Sequence, residues 1–181
     1  MPWSDNHKAR TRRRILDAAA ILFTRHGFAG ASIDDVMRQA GLTRGAFYAH
    51  FTAKEALYAE ALHHAAQANV PRLEEASARE RVLGYLSDAH RAGEEINCPL
   101  ACLVSDVTRQ ETRVRETYTR LFRSFVDRCQ TDGEDMTARR QAIHQAVTMI
   151  GGMAIARALE DDALADEVLE ACRALAGVAE T

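Results

Sequence analysis

Long hydrophobic runs and prolines are scarce in this sequence of 181 residues. No apolar run approaches the ~20 residues that a membrane-spanning helix needs, so we expect no membrane segment. The first residues contain no hydrophobic signal segment, and the expected location is the cytoplasm. The four cysteines form no dense framework, which suits a reducing compartment. With three prolines and abundant Ala, Leu, Arg and Glu, the composition predicts an all-α protein.

Sequence motifs for catalysis and cofactor binding are also missing. No Ser or Cys lies in a nucleophile-elbow context, and the sequence has no glycine-rich phosphate loop. Glu60 and His63 have the spacing of one half of a di-iron site, but the second half is absent. His90, Cys98 and Cys102 could supply three zinc ligands, without an evident fourth. We therefore expect no enzyme, no cofactor and no metal site.

The most informative stretch, residues 32–51, predicts two short helices joined by a tight turn. Ser32 is placed to cap the first helix, with Asp35 three residues later as in a capping box. Gly41 supplies the left-handed residue that ends a helix, and Thr43 begins the next one. A helix, a glycine-containing turn and a second helix are typical of the helix-turn-helix, whose second helix enters the major groove of DNA.

The second of these helices has two different faces. Phe47 and Phe51 are four residues apart and are expected to pack inward. Arg44 and Tyr48 share a neighbouring face, with the small Gly45 beside them. Such a face can approach DNA closely, since Arg pairs with a guanine edge or a phosphate and a Tyr hydroxyl reaches phosphate. The alternative is an ordinary helical hairpin with a solvated outer face.

The distribution of charge indicates a surface for a polyanion at one end of the chain. Residues 1–55 contain nine Lys/Arg and five acidic residues, a net charge of +4, whereas the remainder carries −7. The densest basic run extends from His7 to Arg14. Taken alone, such a run is most often a solvated or disordered tail. Beside a helix-turn-helix, it favours an arm that contacts phosphates or the minor groove.

The pattern after about residue 72 is less specific. One amphipathic helix is predicted from about Val82 to Gly93, and Pro99 suits the first position of another helix. Of the last two predicted helices, the first covers about residues 137–159, and each carries a wide apolar stripe. These stripes are either the core of their own domain or a surface for association.

The run from Arg14 to Leu57 resembles the N-terminal domain of the TetR (AcrR-type) transcriptional regulators. The resemblance implies a three-helix helix-turn-helix DNA-binding domain with a basic arm at residues 1–54, and a helical effector-binding and dimerisation domain at residues 55–181. The matching pieces occur at fixed offsets, which is more specific than a bare helix-turn-helix. They are Ile15-Leu16-Asp17-Ala18-Ala19, Phe23, His26-Gly27-Phe28, Ser32-Ile33-Asp34-Asp35-Val36, Ala40-Gly41-Leu42-Thr43-Arg44-Gly45-Ala46-Phe47-Tyr48, His50-Phe51 and Lys54-Glu55-Ala56-Leu57.

The resemblance also implies which residues contact DNA. The first turn of the second helix would enter the groove, Arg44 would read a base, and the flanking residues would bind phosphate. The implied DNA-contacting residues are Ser32, Thr43, Arg44, Gly45, Tyr48, His50 and Lys54.

The resemblance further implies a homodimer in which the last two helices of two chains form a four-helix bundle. A two-fold dimer would place its two reading helices in successive major-groove turns and bind a palindromic operator in double-stranded DNA. A small, largely hydrophobic effector of unknown identity would bind the helical body and release the DNA. The expected function is therefore a ligand-responsive repressor of transcription. The residues expected at the effector are Leu86, His90, Cys98, Cys102, Leu103, Tyr118 and Phe122.

Two other functions are open at this level. Cys98 precedes Pro99 at a predicted helix start, where a thiolate is favoured, so the protein could be a regulator that senses oxidants or electrophiles. In the plainer interpretation, Cys98 and Cys102 are small packing residues. The protein could also be a helical interaction protein that binds no DNA, with its basic end facing an acidic partner.

Overall fold

The computed structural model of the protein describes residues 5–68, 70, 76–93, 98–130 and 135–177. Within these residues the protein is helical and contains no strand, so the predicted all-α class is confirmed. No helix in this part of the chain combines the length and the apolar character needed to span a membrane. The helices are α1 (Asp5–Gly30), α2 (Ile33–Gln39), α3 (Arg44–Phe47), α4 (Lys54–Ala68), α5 (Ala78–Tyr85), α6 (Asp88–Ala92), α7 (Pro99–Cys102), α8 (Val104–Val107), α9 (Thr112–Cys129), α10 (Met136–Ala158) and α11 (Asp162–Leu175).

The chain divides into two compact units. The first consists of Met1–Ala68 and Ile96–Tyr118, and the second of Asn69–Glu95 and Thr119–Thr181. This division follows packing, whereas the boundary expected after residue 54 separates functions. The functional boundary therefore stays a prediction.

Helix α1 forms the centre of the first unit and packs mainly along α4. Ile15, Ala19 and Phe23 recur at helical spacing on one face of α1 and are fully buried. Each large side chain buried in this way contributes about 1.5–3 kcal/mol. The basic run from His7 to Arg14 is helical and not a disordered tail. Gly27 has φ 69 and produces a kink near the carboxyl end of α1.

The single helix predicted over residues 82–93 is wrong, because the structure contains two helices there. Leu86 leaves the helical region with φ −93 and ψ 37, which ends α5. The hydroxyl of Ser87 then accepts a hydrogen bond from the N–H of His90 at 3.2 Å and caps α6. The freed carbonyl of Leu86 accepts from Nε of Arg173 at 3.0 Å. A side chain distant in sequence thus satisfies the backbone at the break.

Helices α10 and α11 pack against each other in the second unit. Gly152 allows this contact, because a Cβ atom there would lie 2.4 Å from Sγ of Cys172. The buried face of α10 includes Ala142, Ala146, Met149, Ile150, Met153 and Ala156. Ile143 and Val147, predicted for the apolar stripe, are exposed on another face. Helix α10 therefore carries apolar residues both in the core and on the surface.

Candidate nucleic-acid interface

Helix α2 begins at the capping box that the sequence predicts. The Oγ of Ser32 accepts a hydrogen bond from the N–H of Asp35 at 3.1 Å. In return, the Asp35 carboxylate accepts from the N–H of Ser32 at 3.0 Å. These hydrogen bonds to Ser32 hold the pKa of Asp35 below its ordinary value. The reciprocal cap fixes the point at which the chain enters the helix-turn-helix.

The turn after α2 is closed by hydrogen bonds at the helix end. Gly41 has φ 64, and the N–H of Leu42 donates to the carbonyl of Met37 at 2.9 Å. This six-to-one hydrogen bond is typical of a Schellman motif. Nη2 of Arg14 on α1 donates to the carbonyl of Ala40 at 2.7 Å. Arg14, expected only as part of the basic run, therefore also joins α1 to the turn.

Helix α3 separates a buried face from an open one. Phe47 is fully buried and Phe51 nearly so, and their stacked rings have centroids 5.8 Å apart. The opposite face is accessible, since Tyr48 is 60% exposed and a Cβ atom at Gly45 would meet no atom within 4 Å. Arg44 is also exposed. The buried and open sides predicted from these residues are confirmed, but the predicted length of the helix is wrong. Helix α3 ends at Phe47, so Tyr48 is its C-cap and Phe51 lies beyond the following turn.

The guanidinium of Arg44 is held at this open face. Its Nη1 donates to Oδ2 of Asp34 at 2.6 Å, and both side chains are half-exposed. A hydrogen bond with Tyr48 and the charge of Asp34 raise the pKa of Arg44 above its ordinary value. Arg44 is therefore a fixed positive charge between a phenol and a carboxylate. Sequence reasoning missed Asp34, because the two residues meet only when α2 and α3 pack together.

Thr43 and His50 flank α3 and differ in their surroundings. Thr43 is exposed, and its hydroxyl makes no capping hydrogen bond. His50 is half-buried, and its Nδ1 is buried without a hydrogen-bond partner in the described part of the chain. Burial, and then the charges of Lys8 and Arg12, lower the pKa of His50. The His50 ring is therefore mainly neutral at pH 7.

Lys54 is engaged within the first unit. Its Nζ donates to the carbonyl of Phe28 and lies 4.2 Å from the centroid of the Phe28 ring. Burial lowers the pKa of the Lys54 ammonium. A phosphate contact from Lys54 stays a prediction, as do the contacts of the other six residues. For Lys54 to bind a phosphate, its ammonium would have to turn away from Phe28 or donate to the phosphate and to the carbonyl of Phe28 at the same time.

The basic side chains of α1 divide into two groups. Arg12 is half-buried, forms an ion pair with Glu60 and lies 4.8 Å from the centroid of the Phe51 ring. Its role is therefore partly structural. The others present their charge to solvent in the first unit. These exposed residues are Lys8, Arg10, Arg13, Arg14 and Arg25. Arg14 differs from the rest in that it also binds the carbonyl of Ala40.

The seven residues predicted at the effector occur in both units. Those of the first unit are Cys98, Cys102, Leu103 and Tyr118. Those of the second unit are Leu86, His90 and Phe122. That these seven residues bind one effector stays a prediction.

Cys98 and Tyr118 have the clearest local geometry in this set. Cys98 is the N-cap of α7, and Pro99 follows at the first helical position as predicted. The hydroxyl of Tyr118 donates to the carbonyl of Leu100 at 2.8 Å. Burial, and then the nearby Cys98, raise the pKa of Tyr118. All four cysteines of the protein are thiols and not disulfides.

A small cleft occurs in the second unit, and none of the predicted effector residues lines it. Its volume of about 20 Å³ is enough for one water molecule. Burial, opposed by the charge of Arg81, raises the pKa of the Cys129 thiol to about 11. The cleft is lined by Ala78, Arg81, Val82, Phe125, Arg128, Cys129, Gln145 and Met149.

The capped helix α2, the left-handed turn and the half-exposed helix α3, supported by α1, define a helix-turn-helix domain. Residues 15–61 match the family described as bacterial regulatory proteins, tetR family. The chain is 50% identical to the HTH-type transcriptional regulator SrpR of Pseudomonas putida over 44 residues. These residues make up 24% of this chain and 21% of that protein. It is 30% identical to an HTH-type transcriptional repressor of Mycobacterium tuberculosis over 94 residues. These residues make up 52% of this chain and 48% of that protein. The chain thus spans less than half the length of these curated relatives.

Solved structures resemble the fold over almost the whole chain. A TetR-family transcriptional regulator from Agrobacterium tumefaciens has a TM-score of 0.74 at 22% identity, covering 96% of this chain and 100% of that one. The reduced form of NemR from E. coli has a TM-score of 0.73 at 21% identity, covering 93% and 95%. The family match thus lies in the N-terminal domain, at residues 15–61, and the chain as a whole shares the fold of these two structures.

Proposed function

We propose that the protein is a sequence-specific DNA-binding repressor of transcription, which binds a palindromic operator as a homodimer and leaves it when a small hydrophobic ligand binds. The observation that carries this proposal is the outer face of α3. Arg44, Gly45 and Tyr48 are exposed there, above the buried Phe47. The family match covers this helix and supports the same function.

The chemistry of the outer face suits the major groove. A glycine at position 45 allows the backbone to approach DNA closely, because open space surrounds its Cα. Arg44 offers donors that pair with the O6 and N7 acceptors of guanine. The hydroxyls of Thr43 and Tyr48 are suited to phosphate oxygens, which position a protein on the duplex without reading sequence.

The exposed apolar residues of α10 and α11 support dimer formation. Ile143, Val147, Ile155 and Leu164 are between 37% and 55% exposed. A Cβ atom at Gly151 would meet no atom within 4 Å, which leaves room for a neighbouring helix. A second copy related by a two-fold axis would cover this surface with the same surface. Such a dimer carries two α3 helices and matches an inverted repeat in DNA.

The repressor role and the effector are inferred from the family. The relative from Mycobacterium tuberculosis is named a repressor. An effector can release DNA only if it binds more tightly to a dimer whose two reading helices do not fit the operator. The seven effector residues named above remain a prediction for this ligand.

Selection of bound duplexes from random DNA tests the proposal directly. We expect the selected sites to be inverted repeats with half-site centres about 10–10.5 base pairs, or a multiple of this, apart. Binding should occur as one or more whole dimers, measured by light scattering of the complex. Weak binding of all duplexes without enrichment would contradict the proposal and favour the interaction protein that binds no specific DNA.

A second candidate function is sensing of oxidants through Cys98, whose thiol lies at the N-cap of α7 beside Tyr118. Release of the selected operator is measured with and without hydrogen peroxide. Sensing predicts that the release is lost in Cys98→Ser and kept in the matched control Cys129→Ser, since the raised pKa of Cys129 makes its thiol unreactive. Release that survives Cys98→Ser would remove this candidate.

A further inference from the structure

Two neighbouring acids in the first turn of α2 have different tasks. Asp35 completes the capping box with Ser32 and forms an ion pair with Arg38 at 3.1 Å. Asp34 takes no part in the cap. Among the described residues, its carboxylate accepts a hydrogen bond from Nη1 of Arg44 at 2.6 Å. Asp34 lies in the first turn of α2, where a negative charge favours the helix end, and it binds Arg44 in addition.

A carboxylate at this place has an unfavourable effect on affinity for DNA in general. It lies next to Arg44, on the surface that the proposed function brings against a polyanion. One negative charge there repels phosphates and reduces the number of counterions that binding releases. An isolated exposed ion pair contributes little to folding stability, so stability does not explain the pair. The hydrogen bond to Arg44 therefore points to a role other than stability.

The hydrogen-bond geometry indicates such a role. A guanidinium has five N–H donors, and Asp34 engages Nη1. Arg44 also has a hydrogen bond with Tyr48, so two neighbouring side chains engage the guanidinium. Two N–H donors in one plane are what the O6 and N7 acceptors of guanine require, and a guanidinium with five donors can supply them in addition to these bonds. Because Asp34 belongs to the capped helix α2, it fixes the plane of the Arg44 guanidinium against a rigid element. A long and flexible side chain is thereby held in one orientation.

We propose that Asp34 is a specificity-determining residue of the DNA interface, which positions Arg44 toward one base pair and weakens binding to duplexes that lack it. This inference rests on the DNA-binding function proposed above. On a matching site, the hydrogen bonds from Arg44 to the base offset the repulsion between Asp34 and phosphate. On any other site the repulsion remains without this compensation.

The test compares wild type with Asp34→Asn, which removes the charge and keeps the shape. Affinities are measured for the selected operator, for operators with each other base pair at the position read by Arg44, and for a random duplex, over a range of salt. We expect affinity for the random duplex to rise about threefold or more, with a salt slope steeper by about one. Discrimination at the one base pair should fall by about tenfold. Asp34→Glu, which keeps the charge, should retain part of the discrimination.

The chain offers a matched control in Asp127→Asn. The carboxylate of Asp127 accepts from Nη1 of Arg139 at the same distance of 2.6 Å, but in the second unit. This variant changes the net charge equally and should leave discrimination unchanged. In an Arg44→Ala background, Asp34→Asn should still raise affinity for the random duplex but should no longer alter preference at the base pair.

The possible outcomes separate this inference from the proposed function. If wild type selects an operator and Asp34→Asn keeps full discrimination, the inference is overturned and the proposed function stands. If Asp34→Asn lowers affinity for all duplexes equally, Asp34 only supports the fold, and the inference is again overturned. If wild type prefers no sequence, the proposed function fails and the inference fails with it.

Discussion

The carboxylate of Asp106 accepts a hydrogen bond from the backbone N–H of Phe28 at 3.1 Å. The same carboxylate oxygen accepts from the hydroxyl of Tyr58, and a Cβ atom at Gly27 would lie 3.5 Å from the other oxygen. The carbonyl of Phe28 accepts from Lys54. The peptide groups just before the helix-turn-helix are therefore held on one side by α8 and on the other by α4.

Asp106→Ala should lower the free energy of unfolding by about 2–3 kcal/mol, because the backbone N–H of Phe28 and the hydroxyl of the fully buried Tyr58 lose their acceptor. Tyr58→Phe removes one of the two hydrogen bonds and should cost about 1 kcal/mol. Urea unfolding followed by circular dichroism measures both. Asp166→Ala is the control, since Asp166 is exposed, its ion pair with Arg91 has a distance of 3.5 Å, and Arg91 keeps its second partner Asp162, so the loss should be less than about 1 kcal/mol. Equal midpoints for Asp106→Ala and wild type would contradict the role of Asp106.

Gly45→Ala should separate stability from DNA binding. Because Gly45 is helical and a Cβ atom there meets nothing within 4 Å, the substitution should stabilise the fold by up to about 0.5–1 kcal/mol. Affinity for the operator should fall, because the new methyl group lies on the face that approaches DNA. Unfolding and DNA titration of the same preparation measure the two effects. Unchanged affinity would show that this face does not come close to the duplex.

Arg44→Ala and Lys54→Ala should weaken DNA binding in different ways. Loss of Arg44 should reduce preference at one base pair by about 1–3 kcal/mol. Loss of Lys54 should weaken binding to all sequences and reduce the salt slope by about one. Titrations of operator and random duplexes at several salt concentrations distinguish the two. If Arg44→Ala preserves the ratio of operator to random affinity, Arg44 contacts phosphate only.

We expect Val147→Glu to convert the proposed homodimer to a monomer, because it places a charge in the exposed apolar surface of α10. Sedimentation velocity measures the association state, and operator affinity should fall with it. Val104→Glu is the matched control, since Val104 is also an exposed valine but lies on α8 in the first unit. A dimer that persists in Val147→Glu would place the interface elsewhere.

His50 should make stability depend on pH. Its pKa in the folded protein lies below the ordinary value of 6.5, so the folded state binds the proton more weakly than the unfolded state does. Its contribution to stability is therefore complete above pH 6.5 and is lost as the pH falls through the folded pKa. Unfolding between about pH 5 and pH 8 should show this slope in wild type and a smaller one in His50→Gln. Identical slopes would exclude His50 as its source.

Short-range signals in the sequence predicted the helix-turn-helix and its orientation. The capping box between Ser32 and Asp35, the left-handed Gly41 and the buried pair of Phe47 and Phe51 each involve residues at most four apart. Such features depend on local backbone geometry, which a few neighbouring residues determine. These local features were enough to predict which side chains of the α3 region are exposed.

The sequence by itself thus determined the helical class, the helix ends around the turn and the resemblance to the TetR family. Only the tertiary structure decided which distant groups meet, such as Asp34 with Arg44 and Asp106 with Phe28, which are 10 and 78 residues apart. The same holds for the break at Leu86 and for the exposed apolar face of α10. Helical periodicity shows that a face is apolar, but which apolar face becomes buried depends on the helices that pack against it.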